Sequence, residues 1–454
     1  MVKRTFIFIL ALIFFTLPDL LQAQELKKDI SQILQGHWEG AFIKNNSYQK
    51  FDMSVYLKDS TLMSLQVLEE WHPQFGEFQL PLEIDSLGYI SFNTGYGRAK
   101  TQLDTITLEI SGHIIGADPA TYVHFKKVPT PPQPDFKVTP IEVKNGAITL
   151  TGHLHEQRHA PSKTAIIVVG GRGCYAGSTK YDLTAKLLRQ YGVSTVAFNK
   201  RGTGNSTGNC DTATMEDLAK DVVAIKKYLE APPNKFENIG AIGSSAGGWV
   251  IMKASELTDL DFLITIVGPS TSVRVQQMQS LEEGIKKFNL SQTARNEAIE
   301  YTNLVFDAKP NEKNFTKFQE LLKGAETNGW NTLLDVTDIP KNAEDISNLW
   351  VRRHDYDPAK AYNKIMVPLL AMYGEKDWIV PYKENTALLE QYYKGDRKKY
   401  LKTVLLPEAE HGTEVQEGYR TLPNNHTYWR FFRISPNVQI ELIEFLRQNK
   451  FLNK

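Results

Sequence analysis

The chain has 454 residues, enough for one large domain and a smaller one, or about three of ordinary size. Its 52 Lys and Arg balance 52 Asp and Glu, which leaves no long-range field to gather nucleic acid or anionic lipid. With 41% apolar and 23% charged residues it sits at the globular average, which excludes a disordered chain and a multi-pass membrane protein.

Lys3-Arg4, the apolar run Thr5 to Leu17 and the small residue Ala23 follow the order of a secretory signal peptide. It is predicted over residues 1–23, with cleavage after Ala23. The run stops at Pro18-Asp19, short of the roughly 20 apolar residues a membrane span requires, so no integral span is expected after cleavage. A periplasmic or secreted location follows. Two cysteines, Cys174 and Cys210, then enter an oxidising compartment, where they can form one disulfide or remain free buried thiols. Alone they cannot build a zinc site.

Residues 32–128 read as a small all-β domain. Phe51, Met53, Val55 and Leu57 alternate at period two, as do Ile106, Leu108 and Ile110, with turn signals at Asn45-Asn46 and Asp59-Ser60. The opening Gly36-His37-Trp38-Glu39-Gly40 resembles the glycine-tryptophan start of lipocalin-type barrels. Pro129, Pro131, Pro132 and Pro134 mark a stiff connector over 129–135.

From residue 136 to the C-terminus short β-rich runs alternate with helical patterns, the signature of a mostly parallel sheet with helices on both faces. The predicted strands are Thr164 to Val169, Ser194 to Phe198, Ile239 to Ile242, Phe262 to Val267, Val367 to Tyr373 and Thr403 to Leu406. Predicted helices include Lys180 to Tyr191, Met215 to Leu229 and Pro436 to Gln448. A charged, helix-forming stretch at about 271–360 reads as a helical cap inserted into the sheet domain.

Gly243-Ser244-Ser245-Ala246-Gly247 follows one of these strands and precedes a helix-compatible run. Glycines on both sides permit the sharp strand-to-helix turn that lifts one hydroxyl out of the sheet, which makes Ser245 the candidate nucleophile. Ser244 is left to cap backbone N–H groups. A serine hydroxyl needs a base, and the base needs an orienting carboxylate, in the chain order Ser, Asp, His for this architecture. Asp377, four residues past the strand ending at Tyr373, and His411, in the loop after Thr403 to Leu406, supply that order. His354 and His426 compete for the base, but neither follows a late core strand. The oxyanion donors are expected from the N–H of Ala246 and from Gly171 or Arg172, in the glycine-rich loop after Thr164 to Val169.

That loop, Gly171-Arg172-Gly173-Cys174-Tyr175-Ala176, also fits a dinucleotide fingerprint. A ribose-binding acid should then end the second strand, where Asn199-Lys200-Arg201 stands instead. His153 and His155 share a strand face at a metal-like spacing, without a third ligand nearby. No cofactor or metal is implied.

Arg201-Gly202-Thr203-Gly204-Asn205-Ser206-Thr207-Gly208, then Met215-Glu216-Asp217-Leu218, Gly243 to Gly248, and Trp350 with Tyr356-Asp357-Pro358 resemble the α/β-hydrolase superfamily, and within it exported bacterial esterase-like serine hydrolases. The resemblance runs from about Phe136 to the C-terminus. It implies an α/β-hydrolase fold with Ser245, Asp377 and His411 as nucleophile, acid and base, acting on small-molecule acyl esters through an acyl-enzyme. It also sets Cys174 beside Cys210, after neighbouring strands, as a disulfide. The family commonly carries an acid at Asn199 and a His-Gly or Ser-Gly pair at Gly170-Gly171. Of Phe288, Phe306, Phe315, Phe318, Trp330 and Trp350 in the cap, packing within the cap is expected to claim most, and the remainder to wall part of an apolar acyl pocket. The alternatives are a prolyl-oligopeptidase-like peptidase, with Glu69-Glu70 or Glu282-Glu283 holding a free amine, and a non-catalytic binding protein on the same fold.

Overall fold

The computed structural model describes residues 24–44, 47–68, 77–94, 97–118, 120–129, 136–177, 181–415 and 435–452. The predicted signal peptide, residues 130–135 of the proline-rich connector, Glu69-Glu70 and His426 lie outside the described residues. The chain divides into two compact units, with the sequence boundary between Pro134 and Asp135.

In the first unit a helix, α1 (24–34), precedes eight strands: β1 (Gly36–Lys44), β2 (Ser47–Lys58), β3 (Thr61–Leu68), β4 (Glu77–Ile84), β5 (Ile90–Thr94), β6 (Gly97–Asp104), β7 (Glu109–Ile114) and β8 (Thr121–Val128). Each pairs antiparallel with the next, and β8 returns to pair with β1, closing a barrel without free sheet edges. Alternation points Phe42, Phe51, Met53, Phe92 and Phe125 inward, where all are buried. Rings at 4.6 Å (Phe42–Phe51) and 5.5 Å (Phe51–Phe125) fill the interior with hydrocarbon. Trp38 is fully buried, and its indole N–H donates to Leu34 O at the end of α1, 2.7 Å away. Lys127 Nζ donates to Ile33 O, so both groups satisfy carbonyls that the helix end leaves open. Ile30 and Leu34 of α1 belong to the barrel core, so a domain start at residue 32 cuts through an element that the period-two reading overlooked.

One predicted strand is corrected. Residues 105–108 form a turn, in which Ile106 is 91% exposed. The Asp104 carboxylate accepts from the backbone N–H of Ile106 and Thr107, at 2.8 and 3.0 Å, and this local Asx turn overrides the apolar alternation.

The second unit is built on eight strands: β9 (Phe136–Asn145), β10 (Ile148–Gln157), β11 (Thr164–Val169), β12 (Ser194–Phe198), β13 (Asn238–Ser244), β14 (Leu263–Ile266), β15 (Leu369–Gly374) and β16 (Leu401–Leu406). They form one sheet in the order β16-β15-β14-β13-β11-β12-β10-β9. From β12 to β16 all neighbours are parallel, whereas β10 is antiparallel to both β12 and β9. Every residue of β11, β12 and β15 is buried, which is why these strands read as unbroken apolar runs. A strand through His153 and His155 was expected, but not its pairing with β9 as an edge hairpin; the polar alternate positions of both strands mute the signal.

Helices α2 (Asp182–Gln190), α3 (Met215–Glu230) and α4 (Gly247–Ser255) connect successive strands. Thr214 and Asp217 form a reciprocal capping box that starts α3. Between β14 and β15 stand α5 (Val273–Lys287), α6 (Gln292–Asp307), α7 (Glu312–Asn328), three short 3-10 turns, α8 (Trp350–Arg353) and α9 (Ala359–Lys364). Ser272, Ser291 and Asn311 each accept from a backbone N–H to cap the first three of these. Helices α10 (Tyr382–Tyr392) and α11 (Pro436–Gln448) complete the unit.

Most of the cap's aromatic rings are taken up by packing rather than by a pocket wall. Phe318 and Trp330 are buried inside the cap, edge-on and tilted against Tyr301 at 5.2 and 5.6 Å. Phe306 lies under Arg274, and Phe288 meets Trp378 edge-on. Phe318 and Trp330, with Tyr301, extend the hydrophobic core of the sheet unit into the helical insertion, whereas Phe288 stays exposed.

Cys174, past β11, and Cys210, past the adjacent β12, are joined as a disulfide in the structure. They are 36 residues apart, and a loop of that size stabilises the fold by about 3–4 kcal/mol in the chain-entropy model. Thiol titration of denatured, unreduced protein is expected to find no free sulfhydryl; two equivalents would refute the bridge.

Candidate active site

Ser245 and Ala246 connect β13 to α4, and Ser245 has φ at 51°, a left-handed conformation that costs a non-glycine residue about 1–3 kcal/mol. Surrounding structure holds it there: Ser245 N–H donates to Ile266 O at 2.9 Å, and Ser245 O accepts from Gly248 N–H at 2.8 Å. The turn is so tight that a Cβ on Gly247 would come within 2.5 Å of Val169 O, hence the glycine. Ser244 ends β13 and makes no side-chain cap to α4, contrary to the role expected of it.

Ser245 Oγ lies 2.9 Å from His411 Nε2, and His411 Nδ1 lies 2.9 Å from Asp377 Oδ2. A carboxylate can only accept, so Nδ1–H donates to Asp377 and the lone pair of Nε2 faces the serine O–H. Asp377 is held in turn: its Oδ1 accepts from the backbone N–H of Ile379 and Val380, each at 2.9 Å. The structure therefore brings together three side chains from positions 245, 377 and 411, each at the end of a different parallel strand. His354 is not among them. It is buried, stacked on Trp350 at 4.4 Å with Nδ1 on Trp350 O, and burial above all pushes its pKa down to about 3.

Burial alone would lower the His411 pKa, but the Asp377 carboxylate outweighs it and raises the value above the ordinary 6.5. A protonated His411 cannot accept the serine proton, so the acid limb of kcat/KM is expected to have its midpoint above pH 6.5. In Asp377→Asn that midpoint should move down, as the anion is gone. A wild-type midpoint below 6 would contradict this coupling. The linked stability has the opposite sense: the His411⁺–Asp377 contribution is fully present below pH 6.5 and is lost as pH rises through the folded pKa.

The loop after β11 packs directly on the serine. A Cβ on Gly171 would lie 3.1 Å from Ser245 Cβ, so a side chain there would crowd the nucleophile. Gly171 O accepts from Lys200 Nζ and, at 3.3 Å, from Tyr175 Oη, while Lys200 also donates to Gly173 O at 2.8 Å. Because the peptide is planar and trans, pinning Gly171 C=O turns the Arg172 N–H to the opposite side. Lys200 is the residue that sequence reading missed; it was seen only as the absence of an acid. Its loop is anchored by Arg201, which binds Asp221 twice at 2.8 Å and Asp217 at 3.0 Å. Asn199, where the resembled family commonly has an acid, donates to Thr151 Oγ1 at 3.1 Å.

A cavity of about 400 Å³ opens beside this loop, lined by Gly171, Arg172, Ala246, Val250 and Trp350 among others. Of the six aromatic residues weighed for its wall, Trp350 alone is part of the lining. The Arg172 side chain reaches across to Asp338 (2.5 Å), Asp335 (3.2 Å) and Thr337. The dinucleotide reading finds no support in this arrangement, since the loop packs against Ser245. His155 is bonded to Arg189, 3.0 Å away, and among the described residues no group of three or more His, Cys, Asp or Glu could hold a metal. Glu282 and Glu283 pair with Arg295 and Lys286. Among the described residues no helix is long and apolar enough to cross a membrane.

Residues 160–323 match the family model of the serine aminopeptidases, S33. The sheet order and this match together settle the architecture. The second unit has the α/β-hydrolase fold. The human mitochondrial palmitoyl-protein thioesterase ABHD10 is 27% identical to the chain over 107 residues, 24% of this chain and 33% of that protein. Its bovine counterpart is 29% identical over 108 residues, with the same coverage. The chain thus spans about a third of the length of these curated relatives. Among solved structures, a Pyrococcus furiosus esterase is similar at 16% identity and TM-score 0.43, covering 69% of this chain and 91% of that one. A Mycobacterium smegmatis proline iminopeptidase is similar at 14% identity and TM-score 0.41, covering 69% and 99%. Ser245, Asp377, His411 and the residues of the oxyanion loop all lie within this α/β-hydrolase unit.

Proposed function

We propose that the protein is an exported serine hydrolase that cleaves acyl esters. The observation that carries this reading is the Asp377–His411–Ser245 relay, with both contacts at 2.9 Å, ending on a serine held at positive φ between strand and helix. Ser245 Oγ attacks the acyl carbonyl as His411 takes its proton, and Asp377 fixes the imidazole tautomer and stabilises the imidazolium. The tetrahedral oxyanion is met by the N–H of Ala246 and a second N–H from Gly171 or Arg172. His411⁺ then returns the proton to the leaving alcohol, and water, activated by the same imidazole, releases the acid. No step calls on a cofactor.

The test is labelling with a fluorophosphonate, followed by rates on acyl esters, a palmitoyl thioester and aminoacyl amides. The serine aminopeptidase family match favours a second reading, cleavage of an N-terminal residue from a peptide. Fast turnover of aminoacyl amides beside negligible ester turnover would decide for it. Export is supported by the order of residues 1–23 and by the disulfide. N-terminal sequencing of secreted protein is expected to begin at Gln24.

A further inference from the structure

The cavity beside Ser245 is charged where an apolar one was expected. Its lining includes four cations, Arg172, Lys200, Lys341 and Arg353, against two acids, Asp211 and Asp345. Arg172 is spent on Asp335 and Asp338, and Lys200 on the carbonyls of the oxyanion loop. The other two are uncommitted: among the described residues neither Arg353 nor Lys341 has an acidic side chain within ion-pair distance. Arg353 is half-buried, with Nε on Asn348 O at 2.9 Å and Nη1 on Ala213 O at 2.5 Å. Carbonyls fix the guanidinium but do not neutralise it, and Nη2 keeps its donors. Asp345 accepts from Lys341 N–H at 2.9 Å and Asp211 is exposed; these two and the buried Asp338 act on the guanidinium through space, and none is in ion-pair contact with it.

The cations of the lining act on a buried neighbour. Burial is the main cause of the low His354 pKa, and Arg353, Lys200 and Arg172 all add to it. His354 is therefore neutral at any working pH and adds no charge to the wall. A neutral occupant would strip water from Arg353 and return nothing, whereas an anion gives charge-assisted hydrogen bonds, about twice as strong as neutral ones.

We propose that this cavity selects esters whose acyl part carries a carboxylate, gripped by Arg353 with Lys341 at the exposed rim. The selection rests on the serine-hydrolase reading above. The acyl side is assigned because Gly171, Arg172 and Ala246 line the same cavity. A carbonyl whose oxygen sits on their N–H groups has its carbon at the edge of that space; the proposal puts the acyl chain there, and the ester with an alcohol-borne carboxylate tests the opposite placement. A volume of about 400 Å³ suits a short dicarboxylic half-ester better than a long chain.

The experiment compares the full chain on the hemiglutarate and pentanoate esters of one phenol, equal in length and leaving group, with a third ester that carries the carboxylate on the alcohol. The hemiglutarate is expected to lead in kcat/KM by a factor of about ten, and the lead should shrink at high salt. Arg353→Gln should cut that ratio about five-fold or more, through the KM of the hemiglutarate, and Arg353→Lys should keep most of it. Lys341→Gln, at an exposed position, should lower it about two-fold. Should Arg353→Gln fail to fold, glutarate inhibition of pentanoate turnover by the wild-type protein, relieved by salt, reads the same grip. A wild-type ratio near one, a preference for the alcohol-borne carboxylate, or an equal loss on both substrates in Arg353→Gln overturns the proposal. Fluorophosphonate labelling of the same sample separates the failures. A labelled, pentanoate-active protein without preference defeats this inference alone, and an unlabelled one defeats the serine-hydrolase reading too.

Discussion

Ser245→Ala is expected to lose hydrolysis by about six orders of magnitude in kcat and to lose fluorophosphonate labelling altogether. Ser244→Ala should retain both. The two serines are adjacent, yet one closes a strand and the other takes φ of 51° at the elbow, with its Oγ 2.9 Å from His411. Alanine removes only the hydroxyl, and the backbone bonds of residue 245 to Ile266 and Gly248 remain, so the unfolding transition should move little. Strong residual labelling of Ser245→Ala would move the nucleophile elsewhere and end the assignment.

The second large effect concerns the base and its partner. His411→Ala should lower kcat by several orders of magnitude, because a serine hydroxyl without a base is a poor nucleophile near neutral pH. Asp377→Asn should cost about four orders of magnitude by a different route: the amide can donate to Nδ1, which turns the imidazole into the wrong tautomer. Folding is expected to survive both, although Asp377 also accepts from Ile379 and Val380, so a modest fall in melting temperature belongs with the asparagine variant. Near-normal kcat in either variant, measured on folded protein, would show that the 2.9 Å contacts carry no catalysis.

Local signals carried far in the second unit. The runs Thr164 to Val169 and Ser194 to Phe198 coincide with β11 and β12 because a strand buried on both faces needs apolar residues throughout. The elbow could be read from two glycines around a serine, since the sharp turn excludes side chains at those positions. Signals failed where a neighbour outvoted periodicity. Ile106 follows an alternating pattern, yet the carboxylate of Asp104 captures two N–H groups and makes a turn. Helix α1 was overlooked because its apolar residues Ile30 and Leu34 make sense only against the barrel they pack on.

The sequence by itself determined which residue types stand at strand ends, and hence that a serine, an aspartate and a histidine in that chain order were available. Those positions are fixed by short-range rules of burial and turn sterics, which a linear string displays. Only the tertiary structure decided the distances among 245, 377 and 411, the grip of Lys200 on the oxyanion loop, and the charge of the cavity. Composition shows aromatic rings in the cap but not which way they face. Phe318 and Trp330 turned inward because the insertion packs on the same core as the sheet, and the wall was left to Arg172 and Arg353 with Trp350 beside them. Contacts between residues more than a hundred positions apart are set by how the sheet is ordered, and no local pattern encodes that order.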